Sequence, residues 1–361
     1  MTTTTDKTSG FSAPTSTGGI PAVLPYGLAR ALLFRLDAER AHHLSMAGLR
    51  LLGKAGLGGL AAPAAVYAPV EVMGIQFPNQ IGLAAGLDKE ASCVDGLAQL
   101  GFGSIEVGTL TPRPQPGNPL PRLFRLKRHE AIINRMGFNN PGIVAGLANL
   151  RQRTWRGPVG INIGKNFDTP NEQAADDYLR CLEAAYDDAD YIAANLSSPN
   201  TKGLRDLQSG DSLAGLVRAL IQRRDELAKA TGRRVPVAIK LAPDIEDGAL
   251  ADTGRQLVDL GADAIIATNT TIDRAAVAGH PFSEEAGGLS GRPVTDRSTQ
   301  CVGILADAVD GAVPIIGVGG IFSGEDARRK AEAGAALVQI YTGFVYRGPA
   351  LVREVAEALA S

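Results

Sequence analysis

From Ile81 onward the chain alternates between short apolar runs and amphipathic stretches, and each apolar run ends in Gly, Asn, Lys or Thr. The runs are IGLAAG (81–86), SIEVGTL (104–110), VGINIG (159–164), YIAANL (191–196), VAIKLA (237–242), AIIATN (264–269), PIIGVGG (314–320) and LVQIYTG (337–343). Near-continuous apolar strands separated by amphipathic segments such as 211–230 predict a parallel sheet with helices on its outer face. Eight such units over about 280 residues fit an α/β fold of the (β/α)8 TIM-barrel type, which usually takes ~250 residues. A doubly wound sheet is the other architecture of this pattern, but no strand–GxGxxG–helix segment opens the chain.

Two pieces fall outside the repeating pattern. The Pro-rich stretch TPRPQPGNPLPRLFRLKRHEAIINRMGFNN (111–140) follows the second strand, and its alternating middle predicts a hairpin insertion over the barrel mouth. Before the barrel, Leu28, Leu32 and Leu36, then Leu44, Ala47, Gly48 and Leu51, recur at helical spacing, with Asp37 and Glu39 near a helix start. Two short helices are expected there. Phe34, Met46 and Leu49 fall off the main apolar faces, so something other than the barrel is expected to cover the second face. Arg30, Arg35, Arg40, Arg50 and Lys54 outnumber Asp37 and Glu39, the composition of a helix pair lying on an anionic lipid surface. A plain packing cap over the barrel is the competing reading. The expected organisation is a disordered tail over 1–22, an N-terminal amphipathic segment over 23–62 and a barrel over 63–361.

Composition narrows the function. The 36 basic residues nearly balance the 38 acidic ones, which disfavours nucleic-acid binding through bulk phosphate attraction. Cys93, Cys181 and Cys301 are scattered and odd in number, which argues against a disulfide framework, a zinc site or an iron–sulfur cluster. The opening MTTTTDKTSGFSAPTSTGG lacks the apolar stretch of a signal peptide.

In barrels of this type the chemistry gathers at the carboxyl ends of the strands. Those positions hold Lys89, Thr109, Asn162, Asn195, Ser198, Asn200, Lys240, Thr268, Asn269, Thr270, Gly319, Gly320, Tyr341 and Thr342. Carboxylates are nearly absent, which disfavours a glycosidase or a magnesium-dependent enolase. Lys240 stands alone in an apolar strand, and a buried ammonium needs a partner. A reduced flavin, a substrate phosphate or a Schiff-base carbonyl would serve, and so would snorkelling to the rim. The glycine-rich turns GVGGI and YTGF are where such barrels often hold phosphate. Clustered asparagines both donate and accept, which suits the alternating edge of a pyrimidine-like ring, although Asn is also an ordinary turn residue. Ser198 is the candidate base, with no histidine close to it in sequence to form a hydrolase triad.

The chain resembles the dihydroorotate dehydrogenases, and within them the membrane-associated, quinone-reducing class 2. The matching motifs are AAGLDK (84–89), EVGTLTPRPQPGNPLPRLFRL (106–126), INRMGFNN (133–140), GINIGKN (160–166), NLSSPNTKGLR (195–205), KLAPD (240–244), TNTT (268–271), GGLSG (287–291), GVGGI (317–321) and YTGFVYRGP (341–349). The resemblance implies oxidation of dihydroorotate to orotate through FMN, with Ser198 as the catalytic base and Thr201 and Phe138 placing a water that carries its proton away. It implies an FMN site from Ala85, Gly86, Leu87, Asp88, Lys89, Thr109, Asn162, Asn195, Lys240, Thr268, Gly291, Gly320, Tyr341 and Thr342. It implies a substrate site from Lys89, Asn134, Arg135, Met136, Gly137, Phe138, Asn195, Asn200, Asn269 and Thr270. Class 1 relatives use a cysteine base and some pair with an iron–sulfur subunit; serine at this position implies a membrane quinone reached past Arg125 and Tyr341. A monomer is expected, bound peripherally to the cytoplasmic side of the cell membrane, with no metal, no nucleic-acid partner and no iron–sulfur subunit. Other FMN barrels, such as a dihydropyrimidine dehydrogenase domain or a dihydrouridine synthase, and a binding barrel without chemistry are the alternatives.

Overall fold

The computed structural model describes residues 26–58, 62, 64–201 and 203–360. The expected Thr/Ser-rich tail therefore lies outside the described residues. Thirteen strands are described: β1 (Val70–Val72), β2 (Ile75–Phe77), β3 (Ile81–Leu83), β4 (Ser104–Leu110), β5 (Leu123–Leu126), β6 (Ala131–Asn134), β7 (Val159–Ile163), β8 (Tyr191–Asn195), β9 (Val237–Leu241), β10 (Ala264–Ala267), β11 (Gly288–Gly291), β12 (Ile315–Val318) and β13 (Ala335–Ile340). The eight expected strands close into one parallel barrel, in the order β3-β4-β7-β8-β9-β10-β12-β13 and back to β3. Strands β4, β7, β8, β9, β10 and β12 are buried at every position, because the outer face meets helices and the inner face meets the opposite strands. Register places Asn195 of β8 beside Lys240 of β9, so both emerge at one level.

The antiparallel hairpin β1–β2 was not legible in the pattern. Val72 and Phe77 pack with Tyr191, Ala238, Ile266 and Ile316 inside the barrel and so plug the end from which the strands start. At the other end the insertion forms its expected hairpin, β5–β6. GGLSG adds a third strand to it, with β11 pairing with β6 from Gly288 opposite Asn134 to Gly291 opposite Ala131.

The N-terminal segment forms α1 (Tyr26–Leu33) and α2 (Ala38–Lys54), the second longer than expected at 17 residues. Asp37 caps α2, its Oδ1 accepting from the amides of Glu39 at 3.0 Å and Arg40 at 3.1 Å. Contrary to expectation, the residues off the leucine stripe face the barrel, because the helices lie against its surface on that side: Phe34 meets Tyr346 edge-on at 5.2 Å, and Met46 and Leu49 pack on the core. Tyr26 donates to the carbonyl of Val345 at 2.7 Å, and α2 lies so close to the helix Val94–Ala98 that a Cβ on Gly53 would sit 2.5 Å from the amide nitrogen of Gly96. Glu39 is buried and pairs with Arg122 of the insertion at 2.7 Å. The stripe itself points outward, with Leu28 61 %, Leu32 64 %, Leu44 58 % and Leu51 70 % exposed. Capping and an exposed apolar face are therefore both present, on opposite sides of the same helices.

Candidate active site

A cavity with an empty volume of about 1070 Å³ opens at the carboxyl ends of the barrel strands. Its wall gathers residues separated by most of the chain: Ala85, Gly86 and Lys89 after β3, Thr109 on β4, Asn134, Met136, Gly137 and Phe138 after the insertion hairpin, and Asn195, Ser198 and Asn200 after β8. Lys240, Thr268, Asn269, Thr270, Gly291, Gly320, Tyr341 and Thr342 complete it. Parallel strands all end at one face of a barrel, so residues distant in sequence become neighbours without any special local signal.

The amides are tied into two hydrogen-bonded groups. Asn195 Nδ2 donates to Thr109 Oγ1 and to Asn162 Oδ1, both at 3.2 Å, and its Oδ1 accepts from Asn269 Nδ2 at 3.1 Å. Asn269 also donates to Ser197 Oγ at 2.9 Å, and Asn200 Nδ2 reaches the carbonyl of Asn134 at 3.1 Å and its Oδ1 at 3.2 Å. Each carboxamide is thus held in one orientation before a ligand arrives. Ser198 is buried, and its Oγ accepts from the amide of Asn200 at 3.2 Å. No histidine lines this cavity. Lys89 sits in a pocket that pushes its pKa down to about 8, burial being the main cause, with Glu39 opposing and Arg122 reinforcing the shift. Tyr341 donates weakly to the carbonyl of Gly86 at 3.5 Å, and burial pushes its phenol up to about 12.

The opposite end of the cavity is made of backbone. Gly320 has φ +67, and a Cβ there would fall 2.3 Å from Thr295 Cα, so only glycine lets the loop after β12 lie along the cavity. Gly291, Gly319 and Gly343 line the same end, where Ser290 and Thr342 share a hydroxyl hydrogen bond of 2.8 Å. A glycine cradle at one end, a polar amide cluster at the other and a lysine between them match the parts of a phosphorylated planar cofactor stacked beside a small polar ring.

The profile of the dihydroorotate dehydrogenase family matches residues 67–361. The chain belongs to that family. It is 58 % identical to the dihydroorotate dehydrogenase (quinone) of Azotobacter vinelandii over 93 % of this chain and 97 % of that protein. It is 57 % identical to the enzyme of the same name from Pseudomonas paraeruginosa, over 93 % and 98 % respectively. Among solved structures, DHODH from Eimeria tenella in complex with ferulenol superposes with a TM-score of 0.81 at 39 % identity, covering 89 % of this chain and 90 % of that one. The family is flavin-dependent, which agrees with the glycine cradle and with Lys240 in the cavity wall.

Of the residues expected at the site, Leu87, Asp88, Arg135, Asn162 and the buried Thr201 do not line the cavity. Leu87 is part of the core, and Asp88 turns its carboxylate to the amides of Ser92 at 3.0 Å and Cys93 at 2.8 Å, with burial raising its pKa to about 6. Arg135 stacks 4.7 Å over the ring of Phe124 and pairs with Glu285, away from the cavity. Asn162 stands directly behind Thr109 and Asn195 as their acceptor.

Lys240 is not alone, contrary to its isolation in the strand sequence. Its Nζ lies 3.7 Å from Oε1 of Glu106, a fully buried carboxylate on β4. Glu106, with Tyr191 and Gln339 around it, is the part of the site that strand-end reading missed, because these side chains lie below the strand ends inside the barrel. The available signal was a single carboxylate in SIEVGTL facing a single ammonium in VAIKLAP.

Proposed function

We propose that this protein oxidises dihydroorotate to orotate in pyrimidine biosynthesis and delivers the electrons to a membrane quinone through bound FMN. The observation that carries the reading is the serine on the loop after β8, set in one cavity wall with Lys89, four asparagines and Lys240. Bound FMN supplies the acceptor for the hydride that leaves C6 of the substrate. Ser198 takes the proton from C5, and Thr201 and Phe138 hold the water that passes it on. Lys89 meets the substrate carboxylate, while Asn134, Asn195, Asn200 and Asn269, with Thr270, read the ring edge. Met136 and Gly137 close that side. Thr268, Tyr341, Ala85 and Gly86 would flank the flavin, and Gly291, Gly320 and Thr342 would hold its phosphate. Arg135, Leu87, Asp88 and Asn162 act from behind the wall by fixing its loops.

The quinone reaches this cavity from the α1–α2 side. Leu123 and Ile132 line the cavity and also belong to the apolar cluster that contains Phe34 and Tyr346, so an apolar path runs from the cavity to α1. Arg125 stacks 4.6 Å over Phe34 and donates to the carbonyls of Leu33, at 3.1 Å, and Leu36, marking the turn between the helices. No described helix is long and apolar enough to cross a membrane. The exposed leucine stripe, flanked by exposed Arg35, Arg40, Arg50 and Lys54, suits peripheral binding to anionic lipid on the cytoplasmic side. On this reading the chain acts as a monomer and needs no iron–sulfur subunit.

The test is anaerobic bleaching of the flavin by dihydroorotate, followed by reoxidation with a quinone or with fumarate. Bleaching with recovery by quinone alone is expected. Recovery by fumarate would move the protein to the soluble class, and a yellow protein that does not bleach would rule out this substrate.

A further inference from the structure

The interior of the barrel beneath the cavity holds a second polar layer that the reaction as described does not use. Glu106 is its centre. The carboxylate accepts from Asn162 Nδ2 at 2.8 Å on Oε1, and from the Tyr191 hydroxyl at 3.0 Å and Gln339 Nε2 at 2.9 Å on Oε2. Gln339 Nε2 also donates to the Tyr191 oxygen at 3.1 Å. The only cation against the carboxylate among the described residues is Lys240, 3.7 Å from Oε1. Five different barrel strands, β4, β7, β8, β9 and β13, supply these groups, so the layer is as rigid as the barrel itself. Below it the interior turns apolar, with Ala238 and Ile266 packed on Val72 and Phe77 of the plug.

Two features make this more than a buried hydrogen-bonded network. First, Lys240 belongs both to the layer and to the cavity wall, so the charge of the pair is felt where the cofactor sits. Second, Asn162 gives its Nδ2 to Glu106 and uses its Oδ1 to receive Thr109 and Asn195, which carries the orientation set by the carboxylate into the ligand-facing amides. A buried ammonium beside a redox ring favours the electron-rich form of that ring, and a buried carboxylate beside the ammonium cancels much of that pull.

We infer that Glu106 is a positioning residue that holds Lys240 in the cavity wall and, by balancing its charge, sets the midpoint potential of the bound flavin. The inference rests on the reading that FMN occupies this cavity.

Glu106→Gln removes the balancing charge and keeps the shape of the side chain. The expected result is a more positive midpoint, with the reduced flavin favoured over the oxidised by about tenfold more than in the parent, which is about 30 mV for a two-electron couple. A midpoint equal to the parent's, in a variant that retains flavin, overturns the inference and leaves Glu106 a structural residue only. Should Glu106→Gln not retain flavin, Tyr191→Phe decides: it removes one donor from the carboxylate without changing any charge, strengthens the pull on Lys240 and is expected to lower the midpoint by about twofold in the same ratio. No shift there overturns the inference as well. Potentials are read by dye-calibrated photoreduction, without substrate or quinone. A parent protein that holds no flavin defeats the functional reading, whereas unmoved potentials in variants of a flavin-loaded parent defeat only the role of Glu106.

Discussion

Ser198 is a buried hydroxyl with no histidine in the cavity wall around it, so on the proposed reading its strength as a base would come from its enclosure and from whatever carries its proton onward. Replacing it with alanine should leave flavin bound and slow anaerobic bleaching by about 100-fold to 10,000-fold, the usual range for a general base. Stopped-flow absorbance reads this directly, and an unchanged rate would remove Ser198 from the proton path. Lys89 makes a prediction of its own. Its pKa lies below the ordinary lysine value, at about 8, so the ammonium is present below that pH and lost above it. Affinity for the anionic product orotate, followed by flavin absorbance, should hold below pH 8 and weaken roughly tenfold per pH unit above it. Lys89→Met should abolish the pH step. At this scale the amides, hydroxyls and both lysines were legible because each sits where a strand ends. Glu106 was hidden because a carboxylate inside an apolar run shows no partner until the barrel brings β9 within reach.

The helices α1 and α2 present two different faces, one exposed and one packed on the barrel. Leu28 and Leu51 are 61 % and 70 % exposed, so Leu28→Gln with Leu51→Gln should change stability by less than about 1 kcal/mol. Each loss of a lipid-buried leucine should nevertheless weaken vesicle binding about tenfold, since burying such a side chain contributes about 1.5–3 kcal/mol. Cosedimentation with anionic vesicles measures it, and undiminished binding would defeat the membrane reading of this face. The inner face behaves oppositely. Glu39 and Arg122 have side chains 9 % and 12 % exposed, and breaking such a pair strands a buried charge at a cost of about 3–5 kcal/mol. Glu39→Ala should therefore speed hydrogen exchange across 38–54 while the barrel strands remain protected. The periodicity showed that two helices exist. It pointed to Phe34, Met46 and Leu49 as unexplained, and only the barrel surface explained them, because Phe34 packs on Tyr346 near the other end of the chain and α2 packs on the helix Val94–Ala98.

For the whole molecule, the cavity lies between two approaches, the amide cluster on one side and the apolar path through Leu123 and Ile132 on the other. Oxidation of substrate and reduction of quinone should then be separate half-reactions with ping-pong kinetics. Phe34→Ala, on the proposed quinone side, should leave bleaching by dihydroorotate unchanged and slow reoxidation by quinone at least several-fold; equal slowing of both would argue against separate approaches. The sequence by itself determined the barrel, its eight strands, the family and the residue types at the strand ends, because apolar periodicity and short motifs are local properties of the chain. Tertiary structure alone decided the β1–β2 plug, the third strand added by GGLSG, the side of the N-terminal helices that faces outward and the pairing of Lys240 with Glu106. Each of these depends on which distant segments meet when the sheet closes, and closure brings together positions such as 106, 191, 240 and 339 whose separation along the chain carries no trace of their contact.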